Sequence, residues 1–214
     1  MTATRRFSHG ELTLALHELH AGSGPSLLLL HRLGGSSAEW GAPPGAWPGP
    51  VFALDFAGHG ESERRAGGAY APELLAADAD VALELLGPCR VAGAGIGAYV
   101  ALLLAGARPE LVPAALLLPG RGLDGGGSLP ALARGRILSA PADGPEGSTD
   151  PMVWTCDSDP RPPDYALAFA SAARRLLLAE DGDARPPWWE AIREASVARR
   201  LAAGVTSPFA ALLD

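Results

Sequence analysis

The residues Gly93-Ala94-Gly95-Ile96-Gly97 stand between a short apolar run and a long one. A glycine-rich turn that opens a helix presents free backbone N–H groups, able to receive an anion or a neutral oxygen. Extended to Ala98, the run also fits Gly-x-Gly-x-x-Gly/Ala, the phosphate-binding turn of dinucleotide folds. That reading needs an acid at the end of the next strand, where Leu116-Leu117-Leu118 runs instead into Pro119-Gly120. The five histidines (His9, His17, His20, His31 and His59) all precede Gly95, so no imidazole base follows the turn. Ser36 and Ser37 lie near His31, and Ser207 lies near the end of the chain. Lysine is absent, which excludes a Schiff-base lysine and a phosphate-loop lysine. Cys89 and Cys156 offer neither zinc-ligand spacing nor a disulfide framework, and His17 with His20 makes at best a weak metal pair.

The 214 residues are 48% hydrophobic, enough for one domain with a sizeable core. The net charge is -7, and the arginines are spread in pairs such as Arg64-Arg65 and Arg174-Arg175. Nucleic acid and anionic membrane are therefore not expected partners. Met1 to Phe7 is not followed by an apolar signal core, and the longest apolar run, Ala98 to Ala107, is too short to span a bilayer. A cytoplasmic protein is expected, with a small molecule as ligand or substrate and no cofactor. No oligomeric state is implied.

The elements that must hold the turn follow from patterning. Leu12 to Leu19 alternates weakly, whereas Ser26 to Leu30 and Val51 to Phe56 are continuous apolar runs, as in strands buried on both faces. Pro72 to Leu86 has helical spacing, with proline near the start and Gly87-Pro88 as the stop. Arg90 to Ala92 reads as a strand, Ile96 to Ala107 as a buried helix and Ala114 to Leu118 as a strand. Tyr165 to Leu178 reads as helix then strand, and Trp188 to Leu201 as a helix. The alternation predicts an α/β fold, a mostly parallel central sheet with helices on both faces. Glycines and prolines break the segment from Gly120 to about Pro163. The expected organisation is a core of residues 1–119 and 174–214 around a lid or insertion at 120–173.

Three segments, in order, resemble the α/β-hydrolase fold superfamily. Leu27-Leu28-Leu29-Leu30-His31-Arg32-Leu33-Gly34-Gly35 looks like its strand and His-Gly-x-Gly loop, with Arg32 in place of a glycine. Leu54-Asp55-Phe56-Ala57-Gly58-His59-Gly60-Glu61-Ser62 is similar to its Asp-x-x-Gly-His-Gly-x-Ser segment. Gly93-Ala94-Gly95-Ile96-Gly97 stands where that family has Gly-x-Ser-x-Gly. The resemblance implies a nucleophile position at Gly95 and oxyanion amides at Leu33 and Ile96. It implies an acid position at Asp183, with Asp181 as fallback, and a histidine position near Thr206 and Ser207. A shifted register would carry the acid on Asp157 or Asp159. The nucleophile and the base are thus both missing. His31 and His59 are expected to tie backbone together, and Arg32, His31 and Trp40 are candidate ligand-binding residues.

Four functions are compatible with these residues. One is a non-hydrolytic protein acting on or binding a small organic molecule. Another is a catalytically inactive pseudoenzyme. A third is a hydrolase with a displaced nucleophile at Ser36, Ser37 or Ser207, the first two with His31 as base. The last is a dinucleotide-binding protein.

Overall fold

The computed structural model describes residues 3–41, 47–123, 149–179, 185–201 and 208–214. Eight strands form one sheet: β1 (Ala3–His9), β2 (Leu12–His20), β3 (Ser26–Leu30), β4 (Val51–Asp55), β5 (Cys89–Ala94), β6 (Ala115–Leu118), β7 (Leu176–Ala179) and β8 (Ala198–Leu201). Their order is β1-β2-β4-β3-β5-β6-β7-β8. β1 and β2 form an antiparallel pair, β2 is antiparallel to β4, and all later pairings are parallel.

Four α-helices accompany the sheet: α1 (Pro72–Leu86), α2 (Ile96–Ala107), α3 (Pro163–Ala172) and α4 (Pro187–Arg193). Proline sits in the first turn of α1, α3 and α4, where a missing N–H costs no helical bond. Ten of the twelve residues of α2 are buried, which is why its sequence is apolar all round. All four helices pack on one sheet face, with Leu28, Leu30 and Leu117. Leu27, Leu29, Ala92 and Leu116 turn to the other face, covered among the described residues by Trp40, Trp47 and a 3-10 helix at Pro208–Leu212. The period-2 alternation of a strand buried on both sides is visible in this split.

Two elements differ from the sequence expectation. β1 is an edge strand whose Thr4, Arg5 and Arg6 are exposed, so it shows no apolar run. The helix expected over Trp188 to Leu201 stops at Arg193, and Ala198–Leu201 pairs instead with β7, from Leu176↔Ala198 to Ala179↔Leu201. Sheet pairing overrides the local helical pattern there. Much of the expected lid, 124–148, lies outside the described residues. Its described part forms a 3-10 helix at Pro151–Cys156 and the helix α3. No helix among the described residues is long and apolar enough to cross a membrane.

Candidate functional site

β5 delivers the chain to Gly95, which caps α2 with φ 56° and ψ -119°. This left-handed region is open to glycine and strained for residues with a Cβ. A Cβ on Gly93 would strike the backbone of Gly97, and one on Gly97 would strike the carbonyl of Leu30. All three glycines are therefore needed for the strand, the turn and the neighbouring strand to approach this closely.

The two amides expected to face a ligand oxygen do converge. Both already have an acceptor, and it is the chain itself. Leu33 N–H and Ile96 N–H donate to the same carbonyl oxygen, that of Arg121, at 3.0 and 3.1 Å. The backbone of Arg121 also fills the space where a side chain on residue 95 would begin. A Cβ there would overlap the Arg121 oxygen and lie 2.7 Å from its carbonyl carbon and its nitrogen. The segment Gly120–Leu123 thus lies across the turn and closes it. Sequence reasoning missed this because a backbone carbonyl leaves no side-chain signal; only the Gly120-Arg121-Gly122 spacing hints at a close approach.

Side chains fasten that segment. The Arg121 guanidinium stacks over the Trp154 ring at 4.5 Å and pairs with Asp157, Nε to Oδ1 at 3.4 Å and Nη2 to Oδ2 at 3.3 Å. Leu123 N–H donates to Cys156 O at 2.7 Å, and Trp188 Nε1 donates to Leu123 O at 3.3 Å.

His31 and His59 behave as backbone staples. His31 Nδ1 donates to Arg32 O at 2.8 Å, and its Nε2 accepts from Phe56 N–H at 3.1 Å. His59 Nδ1 donates to Ala57 O at 3.1 Å, and its Nε2 accepts from Gly34 N–H at 3.3 Å. Each ring is thus held neutral in the Nδ1–H tautomer, with no lone pair left for Ser36 or Ser37. Burial pushes both pKa values down, that of His59 to about 3 with the neighbouring His31 adding to the shift. Asp55 completes the scaffold, accepting from Ser37 N–H at 2.6 Å, Glu61 N–H at 2.8 Å and His17 Nε2 at 3.0 Å.

No family model matches the sequence. A curated relative, Esterase Rv0045c of Mycobacterium tuberculosis, is 33% identical over 93 residues, 42% of this chain and 31% of its own length. The chain therefore spans about a third of that relative. A hydrolase from Pseudomonas aeruginosa superposes with a TM-score of 0.70 at 18% identity, covering 96% of this chain and 91% of that one. The thioesterase domain from the curacin biosynthetic pathway gives 0.69 at 16% identity, covering 94% and 92%. E-2-(acetamidomethylene)succinate hydrolase gives 0.67 at 17% identity, covering 100% and 97%. These neighbours are α/β-hydrolase-fold proteins, and the sheet and helices described above match theirs. The chain has the α/β-hydrolase fold.

Arg32 faces outward, its side chain 59% exposed, and its Nε pairs with Glu39 at 3.3 Å. Glu39 also accepts from Arg32 N–H at 3.0 Å, so the pair shapes the loop that carries Leu33. Trp40 lies on the opposite sheet face, its ring edge-on to Phe209 at 6.4 Å. Asp181, Asp183 and Ser207 lie outside the described residues. Asp157, the acid of the shifted register, is engaged by Arg121. His17 Nε2 donates to Asp55, and its Nδ1 is hydrogen-bonded to Thr4 Oγ1 at 3.0 Å. Among the described residues no group of three metal-ligating side chains comes together. An open groove of about 230 Å³ lies toward the far end of α2, lined by Glu73, Asp80, Leu103, Leu104, Tyr165 and Phe169. Its α2 residues Leu103 and Leu104 lie more than two helical turns beyond Gly95.

The staples make stability pH-dependent. Above pH 6.5 both histidines are neutral in folded and unfolded chains and contribute nothing to the difference. Below 6.5 the unfolded chain takes up protons that the folded chain refuses, down to about pH 3 for His59. Stability therefore falls as pH falls, by about 1.4 kcal/mol per pH unit for each histidine within its window. Urea unfolding at steps from pH 7.5 to 4.5 should give a flat region and then a decline beginning near 6.5. A profile level to pH 4.5 would contradict the neutral staples.

Proposed function

We propose that this chain is a catalytically silent protein on the α/β-hydrolase fold, a binding protein with no serine-based acyl transfer. The single observation that carries the reading is the Arg121 carbonyl, which occupies both oxyanion amides and the space a nucleophile would need. Three further facts support it. Residue 95 is glycine, no histidine follows it in the sequence, and His31 is spent on the backbone. The likeness to an esterase over part of the chain fits descent from an ester-hydrolysing protein whose reaction centre has since been filled. The outward Arg32 and the closed turn favour binding over a non-hydrolytic reaction at the former centre.

A serine-directed fluorophosphonate and a series of p-nitrophenyl esters from acetate to palmitate test this reading. Labelling should be absent and turnover should match buffer. Stoichiometric labelling would overturn the proposal, and the labelled peptide would report whether Ser36, Ser37 or Ser207 had taken over as nucleophile.

A further inference from the structure

The contact that closes the turn has the form of a device. The occupant is one carbonyl oxygen, and the two amides it satisfies belong to different elements, the β3 loop and the first turn of α2. Among the described residues, the segment bearing it is tethered by the Arg121 side chain, by the buried Leu123 side chain, and by bonds from Leu123 N–H to Cys156 O and from Trp188 Nε1 to Leu123 O. One tether, the Arg121–Asp157 pair, is only partly buried, with side chains 26% and 27% exposed. The segment also carries backbone strain. Leu123 sits at φ 53°, the one non-glycine residue in the left-handed region among those described, and its side chain is buried. Strain of this kind persists only where surrounding contacts over-determine the conformation. Here those contacts are Cys156 O, Trp188 Nε1 and the Trp154–Asp157 clasp on Arg121.

We propose that Gly120–Leu123 is a displaceable strap over the Leu33 and Ile96 amides, and that the Arg121–Trp154–Asp157 clasp sets how often it lifts. The inference rests on the closed-centre reading above and adds its regulation. In the closed form Leu33 and Ile96 N–H are covered. In the lifted form both point at open space and can take an oxygen from another source. Any agent that favours the lifted form must bind it better than the closed one, and weakening the clasp must make such binding easier by the same factor. Trp154 couples the clasp to the β3 loop, since its ring packs where a Cβ on Gly34 would stand. The 3-10 helix carrying Trp154 is in turn anchored by Tyr70 Oη donating to Asp150 at 2.9 Å and by Asp150 N–H donating to Gly58 O at 2.7 Å.

Amide hydrogen exchange at Leu33 and Ile96, read by NMR on the full chain, is the test. Arg121→Ala removes the stacking and the ion pair and should speed exchange at both amides roughly tenfold, with core amides such as Leu29 and Ala101 unchanged. Asp157→Asn keeps the stacking and should give a smaller acceleration at the same two amides. Asp157→Asn alters a partly exposed carboxylate, so it keeps the test open should Arg121→Ala fold poorly. Exchange at Leu33 and Ile96 that stays at the wild-type rate in both variants would overturn the strap and make the segment part of the fixed core. Esterase assays on the same samples separate the two proposals, because catalytic silence is expected whether or not the strap lifts.

Discussion

A Gly95→Ser variant will be less stable than the parent chain and, on the proposed reading, will hydrolyse no ester. Two costs add. Serine must adopt φ 56°, which costs about 1–3 kcal/mol. Its Cβ must also displace the backbone of Arg121, an overpacking of about 1–3 kcal/mol when the obstruction yields and more when it does not. The expected loss in urea unfolding is thus roughly 2–6 kcal/mol. Gly95→Ala should lose nearly as much, because the overlap begins at Cβ and the hydroxyl adds little. No activity is expected, because the sequence has no histidine after the turn to take the serine proton. A stable Gly95→Ser protein that turned over p-nitrophenyl acetate would refute both halves.

Asp55→Ala is the second large effect. Asp55 is 1% exposed and receives two backbone amides and one imidazole. Removing the carboxylate strands three buried donors at about 1–3 kcal/mol each, offset in part by water entry and relaxation, for a net loss of roughly 3–5 kcal/mol. The damage should spread to the candidate site, because Ser37 N–H anchors the loop bearing Leu33 and Glu61 N–H anchors the loop bearing His59. Asp55→Asn retains one acceptor oxygen and should lose less. A loss below 1 kcal/mol for Asp55→Ala in urea unfolding would mean that these loops hold their shape without it.

Much of the fold was legible because burial and punctuation coincide. Pro72–Leu86 begins at a proline and ends before Gly87-Pro88, and both limits are those of α1. α2 likewise spans Ile96–Ala107, a run too uniformly apolar to be anything but buried. β1 escaped notice because an exposed edge strand has no need of an apolar face. β8 was masked by the helical spacing of Trp188, Trp189 and Ile192, which continues weakly past the point where β7 claims the chain as a partner.

The site was half legible for a different reason. Side chains announce themselves, and the pairing of the Leu33 and Ile96 amides was implied by the resemblance that three motifs carry to the α/β-hydrolase fold. What fills the gap between them is a peptide carbonyl contributed by Arg121, twenty-five residues beyond Ile96, and peptide carbonyls are common to every sequence. The sign that was present is indirect. Gly120 and Gly122 flank Arg121, and a Cβ on Gly120 would approach Gly95 N to 2.7 Å, while one on Gly122 would approach Ile96 Cβ to 2.9 Å. Two small residues at that spacing let one backbone lie directly on another.

On the proposed reading, the chain's own backbone occupies the reaction centre of the hydrolase fold. A crystal structure at a resolution that shows carbonyl oxygens tests it directly, through the density between Leu33 N and Ile96 N. The account predicts the Arg121 carbonyl there, about 3 Å from each nitrogen. A water molecule or a bound anion between the two amides, with the Arg121 carbonyl turned away, would contradict it.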